Sequence, residues 1–386
     1  MSSGKDRVLI WYQGRGGAGQ RFAFRLGNIL HGVGRVGSVS YLLNEADSYI
    51  DLIRESGDEV VSHVSPSGRD RPLALLASIP ARLRRFSEAL DRLKPDVVVC
   101  AMNFALAWPL VEILRWRGIP NVYVCHDPEP HVGDYGVLWQ RVSQKIMLKR
   151  ASAIVALSGY GRDELLKTAP AAIAVPIVMI PLQDHMSALR RREPRRLAAA
   201  GRVRFLCLGR LIAYKGFDLL AEAIARLGER TDWSLTIAGD GPLKDEVVRL
   251  FAHDPRVDLT RLHLLSEGEI DDLVSTHDVI IHAYKEATQS GTLTEALLEG
   301  MPSIVTPVGA LPEQIGNGSA GWISPEVSAE GVAAAIVAAI TDAQAGRYED
   351  RSLAALALCD GETARAGWRD VLDAVLPAGG SVRRPG

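Results

Sequence analysis

The sequence predicts an α/β fold made of two doubly wound, Rossmann-like domains, and three observations predict it. The chain has 386 residues, more than the ~250–300 at which a single core usually stops growing. Short, continuous apolar runs alternate with helical patterns, as in parallel strands covered on both faces. The series of runs is completed once before residue 160 and starts again after residue 200, which implies two such sheets.

RVLIWYQ (7–13) is the first run, followed by the glycine-rich GRGGAGQ and the helical RFAFRLGNILHGV. A second strand-like run precedes Glu45 and Asp47. DVVVCAM (96–102) leads into the helical FALAWPLVEILRWRG, and NVYVCHD (121–127) and SAIVALS (152–158) continue the series, the latter with its helix GYGRDELLKTA. The second series reads VRFLCLGRL (203–211), SLTIAGDG (234–241), LHLLS (262–266), VIIHAY (279–284) and PSIVTPVG (302–309). ETARAGWRDVLDAVL (362–376) has the period of an amphipathic helix, with Trp368, Val371, Leu372 and Val375 on one face. No period of 20–50 residues repeats, which argues against a solenoid.

These runs predict an N-terminal domain over 1–185, a linker over 186–202 and a C-terminal domain over 203–361, then a helix over 362–377 and a tail over 378–386. The stretch 184–202, with its run of arginines around Glu193 and Pro194, suits a solvated linker or loop-helix.

Composition narrows the function classes. A chain that is 47% hydrophobic and 23% charged is neither disordered nor fibrous. Cys100, Cys125, Cys207 and Cys359 are far apart and form no CxxC. The first three lie in or beside apolar runs and read as buried thiols in a reducing compartment. The net charge of −2 gives no reason to expect a nucleic-acid partner. The halves differ: residues 1–200 carry +8 and residues 201–386 carry −10, as two units with different surfaces would. The N-terminal apolar run is too short for an export signal, and the longest apolar stretch, Val97 to Leu114, is broken by Asn103, Pro109 and Glu112. The expectation is a cytoplasmic protein, at most peripheral on the inner face of the membrane. Two basic stretches, 81–94 and 138–151, are the candidates for contact with anionic lipid. Ordinary half-solvated helices would look the same.

Three motifs carry chemistry. Gly14, Gly16 and Gly19 spell GxGxxG between a strand and a helix, where bare backbone can approach a ligand and helix amides can meet a phosphate. A dinucleotide site also wants an acidic residue ~20 positions on. Gly34 to Ser40 contain none, so an NAD site is weakened, and a tight turn alone would explain the glycines. In GRLIAYKGFDLL (209–220), Arg210 and Lys215 flank a loop at the carboxyl end of a strand, where open α/β sheets bind ligands and two cations suit a diphosphate. Two solvated surface cations are the plain alternative. In YKEATQSGTLTEALLEGMP (284–302), small and hydroxyl residues precede a helix expected to begin near Thr292. Its amides attract an anion, and Glu295, expected in the first turn, offers acceptors to ribose hydroxyls. Glu299, one turn on, reads as a solvated helix residue.

Taken together, GRLxxxKGxDLL, then LTIAGDGPL, then EALLEGMPSIVTPVGALPE resemble the C-terminal half of retaining glycosyltransferases of family 4, with the GT-B fold, over about residues 203–325. GGAG (16–19) and VCHDPEPHVGD (124–134) extend the resemblance into the N-terminal half. The resemblance implies two Rossmann-like domains facing a cleft, the N-terminal one on the acceptor side, with the C-terminal helix crossing back to it. It implies transfer from a nucleotide-diphospho-sugar, such as a UDP- or GDP-sugar, to a glycan or lipid-linked acceptor in polysaccharide synthesis, with no cofactor and no metal. Arg210 and Lys215, with Gly209 opening their loop, would neutralise the leaving diphosphate. Gly291 and Thr292 would offer amides to the phosphates, and Glu295 would hold the ribose. Gly241, in the LTIAGDGPL turn, and Leu265, in the turn 264–266, would lie at the donor, the latter cupping the base. Gly16 and Gly17 match the glycine loop facing the donor, and His126 with Asp127 the histidine pair near the transferred sugar. His131, five residues later, is the other histidine candidate. HDPEPH has no further Cys or His at metal spacing and no DxD accompanies it, so Arg210, Lys215 and the helix terminus would supply the positive field.

The chain departs from the family at one point. The first glutamate of E-x7-E would fall at Ala287, with Glu286 adjacent, and the loop reads ATQSG. Either Glu286 or Thr288, Gln289 and Ser290 would then meet the sugar. A nucleotide-sugar epimerase of the same fold, an NAD oxidoreductase and a non-catalytic regulator are the other readings.

Overall fold

In a computed structural model of the chain, the described residues are 5–14, 18–64, 77–104, 107–128, 137–168, 173–189, 193–197 and 202–377. The chain forms two compact units, one of residues 1–181 with 361–386, the other of residues 182–360.

The first unit begins β1 (Asp6–Trp11), α1 (Ala18–His31), β2 (Val36–Asn44), α2 (Ile50–Glu55), β3 (Glu59–His63) and α3 (Ile79–Leu93). It continues β4 (Val97–Cys100), α4 (Ala107–Trp116), β5 (Asn121–Cys125), α5 (Val137–Arg150), β6 (Ala153–Ala156), α6 (Gly159–Thr168) and β7 (Ile177–Met179). A 3-10 segment, Leu182–Leu189, opens the second unit. It continues β8 (Val203–Leu208), α7 (Phe217–Arg226), β9 (Trp233–Ala238), α8 (Lys244–Phe251), β10 (Val257–Arg261), α9 (Glu267–Thr276) and β11 (Val279–His282). It closes with α10 (Gly291–Leu298), β12 (Ser303–Val305), α11 (Leu311–Gln314), β13 (Gly321–Ile323), α12 (Ala329–Gln344) and α13 (Tyr348–Ala357). The last helix, α14 (Glu362–Val375), packs on α1, β6 and β7 of the first unit.

The sheets run β3-β2-β1-β4-β5-β6-β7 and β10-β9-β8-β11-β12-β13, parallel throughout. Each sheet is therefore doubly wound, with its order reversing beside its first strand, and ligands of such sheets bind at that point. The reason lies in the strands: β4, β5, β6 and β11 are buried along their whole length.

The two sheets share one device at their amino ends. Arg7 donates from its backbone N–H (2.9 Å), Nε (3.1 Å) and Nη2 (2.8 Å) to Asp96, just before β4. Arg204 does the same to Asp278, just before β11, at 2.8, 3.0 and 2.9 Å. Each fork ties the first strand of its sheet to the neighbour across the reversal point.

Two expectations are corrected. LHLLS is not a strand: β10 lies just before it, at Val257–Arg261, and residues 262–266 form the turn into α9. β10 is an edge strand with alternating half-buried and exposed residues, so the search for continuous apolar runs passes over it. Nor is the arginine-rich stretch uniformly solvated. Arg195 is 5% exposed. Its guanidinium donates to the carbonyls of Val274 (2.8 Å), Ser275 (2.8 Å) and His277 (2.6 Å), closing the carboxyl end of α9. All four cysteines are free and buried. The tail 378–386 lies outside the described residues, among which no helix is long and apolar enough to cross a membrane.

Candidate functional site

The second unit gathers its predicted residues at the carboxyl ends of β8, β9 and β11. After β8 the chain passes Gly209 and Arg210 into a 3-10 turn, Ala213–Lys215. Gly209 has φ +129°, and a Cβ there would lie 2.5 Å from Lys215 Nζ and 3.7 Å from Thr292 Cγ2. Its bare Cα thus leaves the space in which the ammonium sits. After β9, Gly241 passes close to the same loop: a Cβ there would come within 2.5 Å of the Leu211 carbonyl oxygen.

Lys215 is buried. Its Nζ donates to the Tyr284 hydroxyl at 2.8 Å and lies 4.9 Å from the centroid of that ring. Burial disfavours the ammonium, while Tyr284, then Tyr214 and Cys207, hold its pKa above the ordinary lysine value. His282 beside it is kept neutral: burial first, then the Lys215 charge, push its pKa down to about 3. The Lys215 cation therefore sits among neutral groups, with no carboxylate ion-paired to it among the described residues. Arg210 is exposed on the same loop.

The helix α10 supplies the second half of the site. Ser290 is its N-cap, in extended conformation, and its Oγ accepts from the Leu293 N–H at 3.3 Å. The Ser290 N–H is bound by Gln314 Oε1 at 2.9 Å, and Gln314 Nε2 donates to Ser290 O and Thr294 Oγ1 at 3.2 Å each. The Thr294 N–H goes to Ser290 O. Capping therefore uses the amides of Ser290, Leu293 and Thr294. It leaves those of Gly291 and Thr292 as the first-turn donors. Gly291 is exposed, with open space around its Cα. Two open amides and a buried ammonium make an anion-binding arrangement.

The helix begins at Gly291, one residue before Thr292, so Glu295 is its fifth residue and lies in the second turn, not the first. It is half-buried. Glu286 is exposed, Gln289 is half-buried, and Thr288 is buried with its carbonyl accepting from the Ala310 N–H. In the turn 264–266, Leu265 packs against the core, whereas Leu264 is 85% exposed. Ser266 closes the turn with a capping box to Glu269.

In the first unit, His126 follows β5. Its Nε2 lies 2.9 Å from the Ala101 carbonyl oxygen, which can only accept, so the hydrogen is on Nε2. Its ring meets Phe22 edge-on at 4.8 Å. Burial pushes its pKa down, against the opposing pull of Asp127 and the Ala101 carbonyl. The turn at Asp127 is held by Gln144 Nε2, which donates to the carbonyls of Asp127 and Pro128 at 2.7 Å each. Of the glycine motif, Gly14 and Gly19 lie against the Tyr12 ring, where a Cβ would come within 2.1 and 2.4 Å of it. Gly16, Gly17 and His131 lie outside the described residues.

Sequence reasoning misses Tyr284, His282, Gln314 and Arg195. Tyr284 and His282 stand inside the run VIIHAY, where they read as strand residues. Gln314 lies 24 positions from the cap it serves, and no local signal marks it. Among the described residues no three His, Cys, Asp or Glu side chains gather to hold a metal ion.

Two family profiles match the chain. The one described as Glycosyl transferases group 1 matches residues 202–342, and the one described as Glycosyltransferase Family 4 matches residues 43–181. The sulfoquinovosyl transferase SQD2 of Arabidopsis thaliana is 23% identical over 304 residues, covering 72% of this chain and 58% of that protein. The glycogen synthase of Mycobacterium tuberculosis is 25% identical over 286 residues, covering 72% of this chain and 68% of that protein. The chain thus spans well under the full length of both relatives. Among solved structures, Anabaena HepE in complex with UDP and glucose superposes with a TM-score of 0.67 at 18% identity, covering 95% of this chain and 99% of that one.

Proposed function

Since the chain belongs to the glycosyltransferases of group 1 and family 4 and has the GT-B fold, we propose that it transfers a sugar, with retention, from a nucleotide-diphospho-sugar to a hydroxyl of a glycan or lipid-linked acceptor in surface-polysaccharide synthesis. The observation that carries this reading is Lys215: a buried cation among neutral groups, beside the open amides of Gly291 and Thr292. A site of that kind wants a multiply charged anion, and a diphosphate supplies one.

In this reading the bond from the anomeric carbon to the β-phosphate oxygen breaks, and both its electrons stay on the diphosphate. Lys215, Arg210 and the two amides meet the growing charge, so they favour the transition state over the ground state. The acceptor oxygen bonds to the anomeric carbon on the face that the diphosphate leaves, and its proton passes to a β-phosphate oxygen. Glu295 holds the ribose, Glu286 or the stretch Thr288–Ser290 meets the sugar, and the turn at Leu264 and Leu265 meets the base. His126 and Asp127 serve the transferred sugar. A UDP-sugar is the first donor to test, because HepE was crystallised with UDP. The net positive charge of residues 1–200 favours an acceptor presented on the inner surface of an anionic membrane.

A thermal-shift screen with UDP, GDP, ADP and NAD tests the class. One nucleoside diphosphate should raise the melting temperature, by about 2.7 kcal/mol of stabilisation at a hundredfold excess over Kd, and NAD should not. Lys215→Ala should remove that shift and lower transfer ~10²–10³-fold. Full transfer activity in Lys215→Ala would overturn the assignment, and sugar isomerisation without any acceptor would place the chain with the epimerases.

A further inference from the structure

The carboxyl ends of β1, β2 and β3 in the first unit carry a second polar cluster, which has no part in the transfer step above. Gln13 follows β1, Asn44 ends β2 and His63 ends β3, three adjacent strands of the sheet. All three side chains are buried, His63 to 9% exposure. The helix α3 adds Arg82, which is buried, and Arg85, which is exposed three positions on and on the same side of the helix. In open α/β sheets ligands bind at this end of the strands.

The hydrogen bonds of the cluster run in one direction. A guanidinium only donates, so Arg82 Nη2 gives to Gln13 Oε1 at 3.3 Å. The amide is thereby turned with its NH2 toward His63, whose Nε2 lies 2.8 Å from Gln13 Nε2. An amide NH2 donates and cannot accept, so His63 Nε2 is the acceptor and the hydrogen of the neutral ring is on Nδ1. A hydrogen on both nitrogens is disfavoured by burial first, then by the charges of Arg85 and Arg82. Asn44 Nδ2 holds the cluster in place by donating to the Gln13 carbonyl at 3.3 Å. No described residue accepts from the His63 Nδ1–H.

The charge around that N–H is positive. Arg85 and Arg82 are the charges that reach the ring, and neither Glu45 nor Asp47, which follow β2, is among them. Asp47 is turned instead to the Tyr49 N–H, from which it accepts at 2.9 Å. On α3, Arg84 and Arg92 have carboxylates, Glu88 at 3.6 Å and Glu59 at 2.7 Å, whereas Arg85 enters no ion pair among the described residues. We propose that the His63 Nδ1–H and the Arg85 guanidinium, with Arg82 behind them, form an oxyanion site in the first unit, and that the acceptor carries an acidic group, a carboxylate or a phosphate, which binds there. The inference rests on the transferase reading above, in which the first unit takes the acceptor, and narrows that acceptor to an anionic one.

NMR of the full, ¹⁵N-labelled chain is the experiment, the His63 ring signals being those absent from His63→Leu. In the unliganded protein hydrogen on Nδ1 is expected, and hydrogen on Nε2 refutes the assignment. Methyl glucuronide and glycerol phosphate are then titrated in, with methyl glucoside as the neutral control. At least one of the two anions should move the His63 ring signals, and the glucoside should not. The anion that binds more tightly identifies the acidic group as a carboxylate or a phosphate. Arg85→Ala, at an exposed position, should weaken that anion about tenfold, the loss of one hydrogen bond to a charged group. His63→Leu should weaken it as much, read on the backbone amide of residue 63, and His63→Asn, which keeps an N–H at the Nδ1 position, should recover most of the affinity. No shift with either anion, an equal shift with the glucoside, or wild-type anion affinity in Arg85→Ala would overturn the proposal. Failure of the parent reading looks different, since the chain would then bind neither UDP nor GDP whatever these anions do.

Discussion

Lys215 is a buried ammonium whose surroundings compensate for its burial. Burying it among Tyr284, His282 and Cys207 forfeits hydration, yet Tyr284, then Tyr214 and Cys207, hold its pKa above the ordinary lysine value, so the folded unit favours the charge. Replacing it by an apolar side chain of similar length should therefore cost both stability and binding. Lys215→Met is expected to lower the urea midpoint of the unliganded second unit and to abolish the thermal shift with UDP. A higher midpoint in the absence of ligand would show that the surroundings do not stabilise the ammonium. Lys215 and Arg210 are legible in the sequence because they stand on one loop after one strand, and spacing alone brings them together. His282 and Gln314 are not legible there, since they act through contacts 10 and 24 positions away.

At the scale of elements, legibility follows burial. The strands buried on both faces, such as VVVC and VIIH, are visible as unbroken apolar runs. The edge strands EVVSH and VDLTR are half-covered, and their polar residues break the run, so a search for apolar runs misses one and places the other five residues late. Charge misleads in a similar way. Within a run of arginines nothing marks Arg195 as the one that folds inward. Three carbonyls at the end of α9 accept from its guanidinium, and its backbone N–H donates to Ser352 Oγ at 2.7 Å. Arg195→Ala should leave those carbonyls without their donor and destabilise the second unit by about 3 kcal/mol. Arg196→Ala, next to it and exposed, should stay within about 0.5 kcal/mol. Equal urea midpoints for the two variants would refute the capping role.

Across the whole molecule, buried neutral histidines link both units to pH. His63, at the end of β3, shares a 2.8 Å hydrogen bond with Gln13. Burial, then the charges of Arg85 and Arg82, push its pKa down to about 4. In the second unit His282 falls to about 3, and burial also lowers His277. An unfolded histidine titrates near 6.5. As pH falls below that value the unfolded chain takes up protons that the folded rings refuse, and stability falls with it. The carboxylates held low by arginines, Asp232 and Asp254 among them, add their loss only below the ordinary carboxylate pKa near 4. Acid destabilisation should therefore begin near pH 6.5 in both units, well before any carboxylate protonates. Urea midpoints measured from pH 7.5 to 4.5 should fall for both units by an amount worth a few kcal/mol. His63→Gln should make the curve of the first unit shallower, leaving the share of His126, and leave that of the second unchanged, because the two cores are separate. A flat wild-type profile down to pH 4.5 would show that these rings are not held neutral.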